Sequence, residues 1–315
     1  MKVVFLGTND WANWANCNAR AINRANQPDV LQARVVTRAP HPFQYQEDLV
    51  LSRGAEEFAK ACAVVQAADV LVTTGDGDYG GFDEMRVALG GLGKPVAASH
   101  VGAAFRDSVD AYNAEDKARG WRRRFVSPDL YRFVKDDPDA RIMFVPNDLI
   151  ATRLAPRTSP ALRVLHGPST PARKGTEEVE RGLRLAEKND PRVLGTTLTG
   201  LDSETFWQRM WDFDVFVDAL MPCTGGVGGA SMGAMSFGLA VISDVSHICP
   251  ETYRWMSPAP VLHAYDATSV SAHLLALAQN QDSVEELRTQ GVAWARQHLA
   301  PNVLLRYWKE HLCSL

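Results

Sequence analysis

Cysteine is scarce and scattered. Five (Cys17, Cys62, Cys223, Cys249 and Cys313) stand far apart in 315 residues. None forms a CxxC or Cys/His pair at zinc spacing, which excludes a zinc module and a disulfide scaffold; reduced thiols in a cytoplasm are expected. Excess charge of one sign is also lacking. A formal net charge of -4 leaves no bulk field for unspecific nucleic acid, although a local basic patch is compatible with it. No apolar stretch approaches the ~18 residues of a membrane span. The opening MKVVFLGTND has too short an apolar run for a signal peptide and suits a first buried strand. Two nucleotide motifs are missing. GTNDWANW follows the first strand where a dinucleotide fingerprint G-x-G-x-x-G would stand, and no G-K-[ST] loop exists. A nicotinamide oxidoreductase loses its main support.

The remainder is ordinary globular material, 46% hydrophobic and 22% charged, and the length suggests two domains. Short, near-continuous apolar runs predict strands at 2–6, 35–37, 69–74, 96–99, 124–127 and 141–145. Helical spacing predicts helices at 55–68 and 82–92 between them. After PRTSP at 156–160, the best boundary, the alternation restarts. Strands are predicted at 162–165, 192–195, 214–217, 240–243 and 261–263. Helices are predicted at 177–187 and 203–211, from Ser269, from about Val284 and at 301–313. Buried strands alternating with helices indicate parallel sheets covered on both faces. The expected class is α/β with two Rossmann-like domains, 1–155 and 156–315.

Two segments read as anion sites. At 164–176, VLHGPSTPARKGT, a strand leads through small residues to Arg173, Lys174 and a helix start. Helix N-termini bind anions through backbone N–H groups, and two added cations suit a ligand with more than one negative charge, such as a diphosphate. The other reading is a solvated Arg-Lys pair neutralised by Glu177 and Glu178. At 222–242, PCTGGVGGASMGAMSFGLAVI, the glycines at 225, 226, 228 and 229 let backbone approach a ligand ahead of a second helix.

Other residues bear on a second substrate. Gly7 permits close approach after the first strand, or simply makes a turn. Asn9, Asp10 and Asn13 suit hydrogen bonding to a sugar or acceptor. Trp11 and Trp14 share a helical face, for packing or for contact. In GDGDYGG at 75–81, Asp76 and Asp78 either contact an acceptor, one acting as base, or form a solvated turn. RGWRRRF at 119–125 is a basic cluster with aromatics interleaved. It reads as a charged strand edge or as a contact for a phosphate-rich acceptor.

Several segments together resemble the nucleotide-sugar glycosyltransferases of the GT-B fold, most of all glycosyltransferase family 4. VLHGPSTPARKGT is similar to the strand, loop and lysine that open that family's second domain. GAMSFGLAVI at 233–242 resembles its E-A-M-A-x-G-x-P-V-I segment, and DVFVDAL at 214–220 the strand before it. GKPVAASHVGAAFR at 93–106 resembles its strand leading into His, Gly and Arg. FVSPDL at 125–130 and VPND at 145–148 resemble the strands that close its first domain. Two departures stand out: the family's ribose-binding glutamate is Gly233 here and its acidic partner Gly225, and the phosphate-binding arginine has only the adjacent Arg173 as substitute.

The resemblance implies transfer of a sugar from a nucleotide-diphosphate sugar, such as a UDP-sugar, to an acceptor hydroxyl. It implies retention, no metal and no further cofactor. Catalytic candidates are His100, placed near the transferred sugar by the resemblance, together with Asp78 and Lys174. The donor would meet Gly7, Thr8, Arg173 and Lys174, and Gly228, Gly229 and Ser231. The acceptor would meet Asn9, Asp10, Trp11 and Asn13, and Arg106, Arg122 and Arg123. It would be a hydroxymethylated DNA base, a glycan or a lipid. The final helix is expected to cross back onto the first domain. A nucleotide-sugar epimerase and a non-catalytic two-lobed sugar-nucleotide-binding protein are the alternatives.

Overall fold

The computed structural model describes residues 1–10, 13–74, 82–91, 93–94, 96–121, 123–146, 150, 154, 159–220 and 226–315. The chain divides into two compact units. Unit 1 comprises Met1–Asp148 with Leu299–Leu315, and unit 2 comprises Leu149–His298.

Unit 1 is built on strands β1 (Lys2–Gly7), β2 (Gln32–Thr37), β3 (Leu49–Val50), β4 (Val70–Thr74), β5 (Val96–His100), β6 (Arg123–Val126) and β7 (Ala140–Ile142). They form one parallel sheet in the order β3-β2-β1-β4-β5-β6-β7, with Val3 opposite both Ala33 and Val70. Its helices are α1 (Trp14–Arg24), α2 (Ala55–Gln66), α3 (Asp83–Ala88), α4 (Gly102–Asp107) and α5 (Val109–Ala118). The β1 run Val3-Val4-Phe5-Leu6 is buried at every position because both faces of the sheet are covered. Val4 and Leu6 pack with Val36, Leu71, Val65 and Met85. Phe5, on the alternate position, meets Trp14 edge-on at 5.5 Å and Trp308 at 5.2 Å.

Trp308 belongs to the last helix, α12 (Pro301–Leu312 in chain order), which lies in unit 1. Its indole Nε1–H donates to Asn18 Oδ1 at 2.8 Å, and its ring stacks on Trp14. Trp14 is therefore a core residue.

Unit 2 holds β8 (Leu162–His166), β9 (Val193–Thr197), β10 (Val215–Val217), β11 (Ala240–Ser243) and β12 (Val261–His263), a parallel sheet in the order β12-β11-β10-β8-β9. Its helices are α6 (Pro171–Lys174), α7 (Thr176–Asn189), α8 (Ser203–Arg209), α9 (Gly229–Phe237), α10 (Ala267–Gln279) and α11 (Gln281–Leu299). Val164, Val217 and Ile242 pack with Val179, Leu183, Val270 and Leu274 in one core. Helices α7 and α10 approach so closely at Gly182 that a Cβ there would lie 2.9 Å from the Ala267 carbonyl oxygen.

Most predicted elements appear, with three instructive differences. Helix α10 begins at Ala267, not Ser269. Asp266 accepts the Ser269 N–H while the Ser269 hydroxyl reaches back to the Asp266 N–H, so Ser269 is the third helical residue of a capping box. The polar stretch after β5 folds into α4 and α5. The third difference is α6, a single turn inserted where a plain loop is predicted.

Among the described residues no helix is long and apolar enough to cross a membrane.

Candidate functional site

Parallel strands end at a common edge, and in unit 2 that edge gathers the charged and glycine-rich segments. β8 ends at His166, and residues 167–170 lead into α6. Arg173 and Lys174 form the last turn of α6, not the start of α7; the chain reverses at Gly175, whose φ of 67° is left-handed, and α7 then begins at Thr176. Cations at the carboxyl end of a helical turn suit its dipole, which removes the apparent conflict with a helix N-terminus.

Lys174 points inward. Its Nζ donates to Asp218 Oδ1 at 2.6 Å, and the Ser231 hydroxyl donates to the other oxygen, Oδ2, also at 2.6 Å. Asp218 directly follows β10 and is buried. Gly228 lies close enough that a Cβ there would sit 3.6 Å from Asp218 Oδ2. One carboxylate therefore clasps the end of α6 to the first turn of α9. Burial alone would push the Asp218 carboxyl up, but the Lys174 ammonium and the Ser231 hydroxyl outweigh it and hold the group below the ordinary aspartate value. Of the three N–H donors of Lys174, Asp218 takes one, and the side chain keeps 19% exposure. Arg173 is exposed and makes no ion pair among the described residues.

His166 supports the clasp from behind. Its Nδ1 lies 2.8 Å from the Val217 carbonyl oxygen, which can only accept, so Nδ1 carries the proton. Nε2 then accepts from the Thr176 hydroxyl at 2.9 Å. Burial lowers the pKa of this histidine and keeps it neutral beside Lys174. The Leu220 N–H also bonds the Lys174 carbonyl at 3.1 Å.

Helix α9 opens at Gly228 with no side-chain cap and no acidic residue in its first turn. Its leading amides, at Gly229 and Ala230, are the orphan donors that a helix N-terminus offers an anion. The Lys174 ammonium, these amides and Arg173 are donors of the kind that a diphosphate accepts from, while the Asp218 carboxylate offsets the charge of the lysine. Gly233, at the position of the family's glutamate, is buried inside α9, and Gly225 lies outside the described residues.

Unit 1 carries the remaining candidates. The carbonyls of Gly7 and Thr8 accept from Arg38 and Ala39 in the chain that continues β2. Asp10 turns inward and accepts from the N–H groups of Ala15 (3.0 Å) and Asn16 (2.8 Å) and from the Asn16 side chain (2.8 Å), so it caps α1. Burial raises its pKa to about 6 against those three bonds. Asn13 has a left-handed φ of 56°. Its Oδ1 and that of Asn9 are buried without a partner among the described residues. Trp11, Asp78 and Arg122 lie outside the described residues.

His100 closes β5, with Nε2 at 2.8 Å from Asp116 Oδ2. Two arginines named for the acceptor are already committed. Arg123 is buried and donates to the His311 carbonyl at 2.9 Å and to Ser314 Oγ at 3.2 Å, so it anchors α12 instead of facing a ligand. Arg106 donates to Asp129 at 2.7 Å.

Sequence reasoning missed Asp218, His166 and Asp116. For Asp218 the signal was a carboxylate placed directly after the buried run Val215–Val217. His166 and Asp116 carried none, since nothing local pairs them with Thr176 or His100.

A cavity of about 430 Å³ in unit 1, lined by Lys2, Asn23, Gln27, Gln32 and Arg34 among others, opens at the amino ends of β1 and β2 and involves none of these site residues. Among the described residues no group of three or more His, Cys, Asp or Glu is arranged to hold a metal ion.

No protein-family profile matches the chain. No curated protein matches it in sequence. Solved structures do match. The Anabaena protein HepE, in complex with UDP and glucose, is 11% identical with a TM-score of 0.65 over 100% of both chains. An alpha-glucosyltransferase in complex with UDP and a 13-mer DNA containing an HMU base is 10% identical, with a TM-score of 0.65 over 98% of each chain. A point mutant of S. aureus TarM, in a complex that includes UDP, is 13% identical with a TM-score of 0.54, covering 84% of this chain and 61% of its own. At such identities the likeness speaks for the fold: the two parallel α/β units are Rossmann-like, and the chain has the GT-B fold.

Proposed function

We propose that this protein is a glycosyltransferase that moves a sugar from a nucleotide-diphosphate sugar, such as a UDP-sugar, to an acceptor hydroxyl, with retention and without a metal. The observation that carries the reading is the Lys174–Asp218–Ser231 clasp beside the uncapped start of α9. The whole-chain likeness to structures in complex with UDP supports it.

As the bond to the diphosphate breaks, negative charge grows on the departing phosphate oxygens. The two N–H donors of Lys174 that have no partner among the described residues, the amides at Gly229 and Ala230, and Arg173 are suited to meet that charge. Asp218 holds the ammonium in one place, so little reorganisation is needed as charge develops. Fixed donors of this kind are worth roughly 10²–10³ in rate each. His100 is assigned to the transferred sugar or the acceptor.

The test is a panel of nucleotide sugars offered to the purified chain, followed by thermal shift and nucleotide diphosphate release. Stabilisation by UDP and by at least one UDP-sugar, with release of UDP, is expected. No shift with any nucleotide sugar would remove the donor site. The anomeric form of the product, read by NMR, tests retention, and turnover surviving a chelator tests metal independence.

A further inference from the structure

Lys174 and Asp218 stand 44 residues apart in sequence, yet the turn at 174–176 is tied to the exit of β10 in three places. The first tie is the ion pair itself, Lys174 Nζ to Asp218 Oδ1 at 2.6 Å. The second is the Leu220 N–H on the Lys174 carbonyl at 3.1 Å. The third runs through an imidazole. The Thr176 hydroxyl donates to His166 Nε2 at 2.9 Å, and His166 Nδ1–H donates to the Val217 carbonyl at 2.8 Å. Val217 directly precedes Asp218, and Thr176 follows Lys174 across Gly175. One ring therefore joins the chain beside both members of the ion pair.

His166 is fully buried on a strand whose other buried positions, Leu162, Val164 and Leu165, are apolar. Another apolar side chain there would pack with no directional demand. An imidazole must find both a donor and an acceptor, and this one does. A satisfied polar network in a dry interior fixes one arrangement, because each alternative leaves a group unmet. Gly175 has a left-handed φ of 67° and no side chain to hold the turn, so that order has to come from its neighbours. An ammonium is a point charge on a flexible stem and does not orient itself as a guanidinium fork does. The direction of the Lys174 donors beyond the one given to Asp218 is therefore set by where the turn is held. Misplacing such a group by about 1 Å can cost roughly 10²-fold in rate. Burial keeps the ring below the ordinary histidine value, and the Lys174 ammonium adds to that, so His166 stays neutral beside it.

We propose that His166 and Thr176 are positioning residues for the donor diphosphate: their hydrogen-bonded chain to Val217 holds the 174–176 turn so that the remaining N–H donors of Lys174 meet the phosphate oxygens. The identity of that ligand rests on the transferase reading. The hold on Lys174 does not.

The experiment uses the full chain and three variants. Thr176→Val removes the hydroxyl at nearly constant shape, and Thr176→Ser keeps it. Ser236→Ala is the control, since it removes another buried unit 2 hydroxyl, one that donates to the Met232 carbonyl at 2.9 Å within α9. Calorimetry with UDP should show binding weakened about tenfold in Thr176→Val, the size of one hydrogen bond, and restored in Thr176→Ser. Ser236→Ala should lower Tm by a similar amount and bind UDP as the parent does. In turnover the donor KM should rise in Thr176→Val and the acceptor KM should stay the same. Ligand-free chain labelled with ¹⁵N at lysine and histidine gives the second readout. Long-range ¹H–¹⁵N spectra should show His166 protonated at Nδ1 and bare at Nε2. The Lys174 ammonium signal, assigned by its loss in Lys174→Arg, should move in Thr176→Val and return in Thr176→Ser.

A proton on His166 Nε2 in the unaltered chain would overturn the proposal. So would a Lys174 signal that Thr176→Val leaves in place. If Ser236→Ala weakens UDP as much as Thr176→Val does, general loosening explains the effect and the proposal falls. If Thr176→Val binds UDP as tightly as the parent, the donor reading stands and the positioning role fails. If the parent binds no UDP while its Lys174 signal still moves in Thr176→Val, the donor reading fails and the hold on Lys174 stands.

Discussion

The cations at 119–124 in unit 1 and those at 173–174 in unit 2 share a composition and meet different partners. In unit 1, Arg119, Arg123 and Arg124 each find a carboxylate, a carbonyl or a side chain of their own unit. In unit 2, among the described residues, Lys174 has one partner for three donors and Arg173 has no ion pair. A run of positive charge is a binding surface only if the fold leaves it unspent, and two of the partners that decide this come from distant sequence. His311 lies 188 residues from Arg123, and Asp218 lies 44 from Lys174.

The largest expected effect breaks the unit 2 side. Lys174→Ala should lower kcat by roughly 10²–10³, the size expected when a fixed donor to developing charge is lost. It should also destabilise the fold by about 3–5 kcal/mol, because Asp218 is left buried without its cation. The double variant Lys174→Met, Asp218→Asn sharpens the point. Thermal melting should recover most of the loss while turnover stays low. If turnover returned with stability, the lysine would be structural and the donor reading of 173–174 would fall.

The elements that came through most clearly in the sequence are those whose cause is local or periodic. Within Lys2–Gly7 the residues Val3 to Leu6 are apolar at successive positions, which suits a strand covered on both faces, and the strand lies inside the unit 1 sheet. Lys174 and the glycines at 228–229 stood out as a candidate anion site because turn chemistry and charge sit within a few residues. The clasp that organises them was not. Asp218 and Ser231 are 13 residues apart, and nothing local pairs them across α9. The single turn α6 was missed because four residues are too few to show a period. Arg123 was read as a surface cation because the contact that buries it is made by the far end of the chain.

Asp10 and Asp218 carry the same comparison into pH. Both are buried, yet only Asp218 is hydrogen-bonded to a cation, while the more weakly acting Arg20 does not offset the burial of Asp10. Asp10 holds its proton up to about 6 when folded, against an ordinary value of 3.8. The unfolded chain therefore ionises first as pH rises, and the folded state loses stability between those two values. The loss is about 3 kcal/mol and is complete above the folded value. Asp218 has the opposite sign: its depressed value adds stability that is present above the ordinary aspartate range and lost on acidification. Urea unfolding of the unaltered chain and of Asp10→Asn, at about pH 4 and about pH 7, checks the first claim. The advantage of Asp10→Asn over the parent should grow toward neutral pH, and an equal difference at both would contradict it.

Arg123→Ala attacks the committed cluster. Losing two bonds to the end of the chain should cost about 2 kcal/mol and lower Tm. Amide exchange should quicken along 301–312, where Trp308 and Tyr307 also hold α12 to unit 1. The donor KM should not move. A change in donor KM without a fall in Tm would place Arg123 at a ligand, against its buried geometry.

Arg173→Ala should have the smallest effect and separates the two cations of one turn. An exposed arginine gains modest Coulomb energy because water and salt screen it, so the donor KM should rise about threefold at low ionic strength. Near ~1 M salt the Debye length shrinks to about 3 Å and that difference should vanish. The loss in Lys174→Ala should persist under the same salt, since its ammonium is held 2.6 Å from a buried carboxylate. Equal salt sensitivity in both variants would mean that Lys174 acts as a loose surface charge and that the clasp does not hold it.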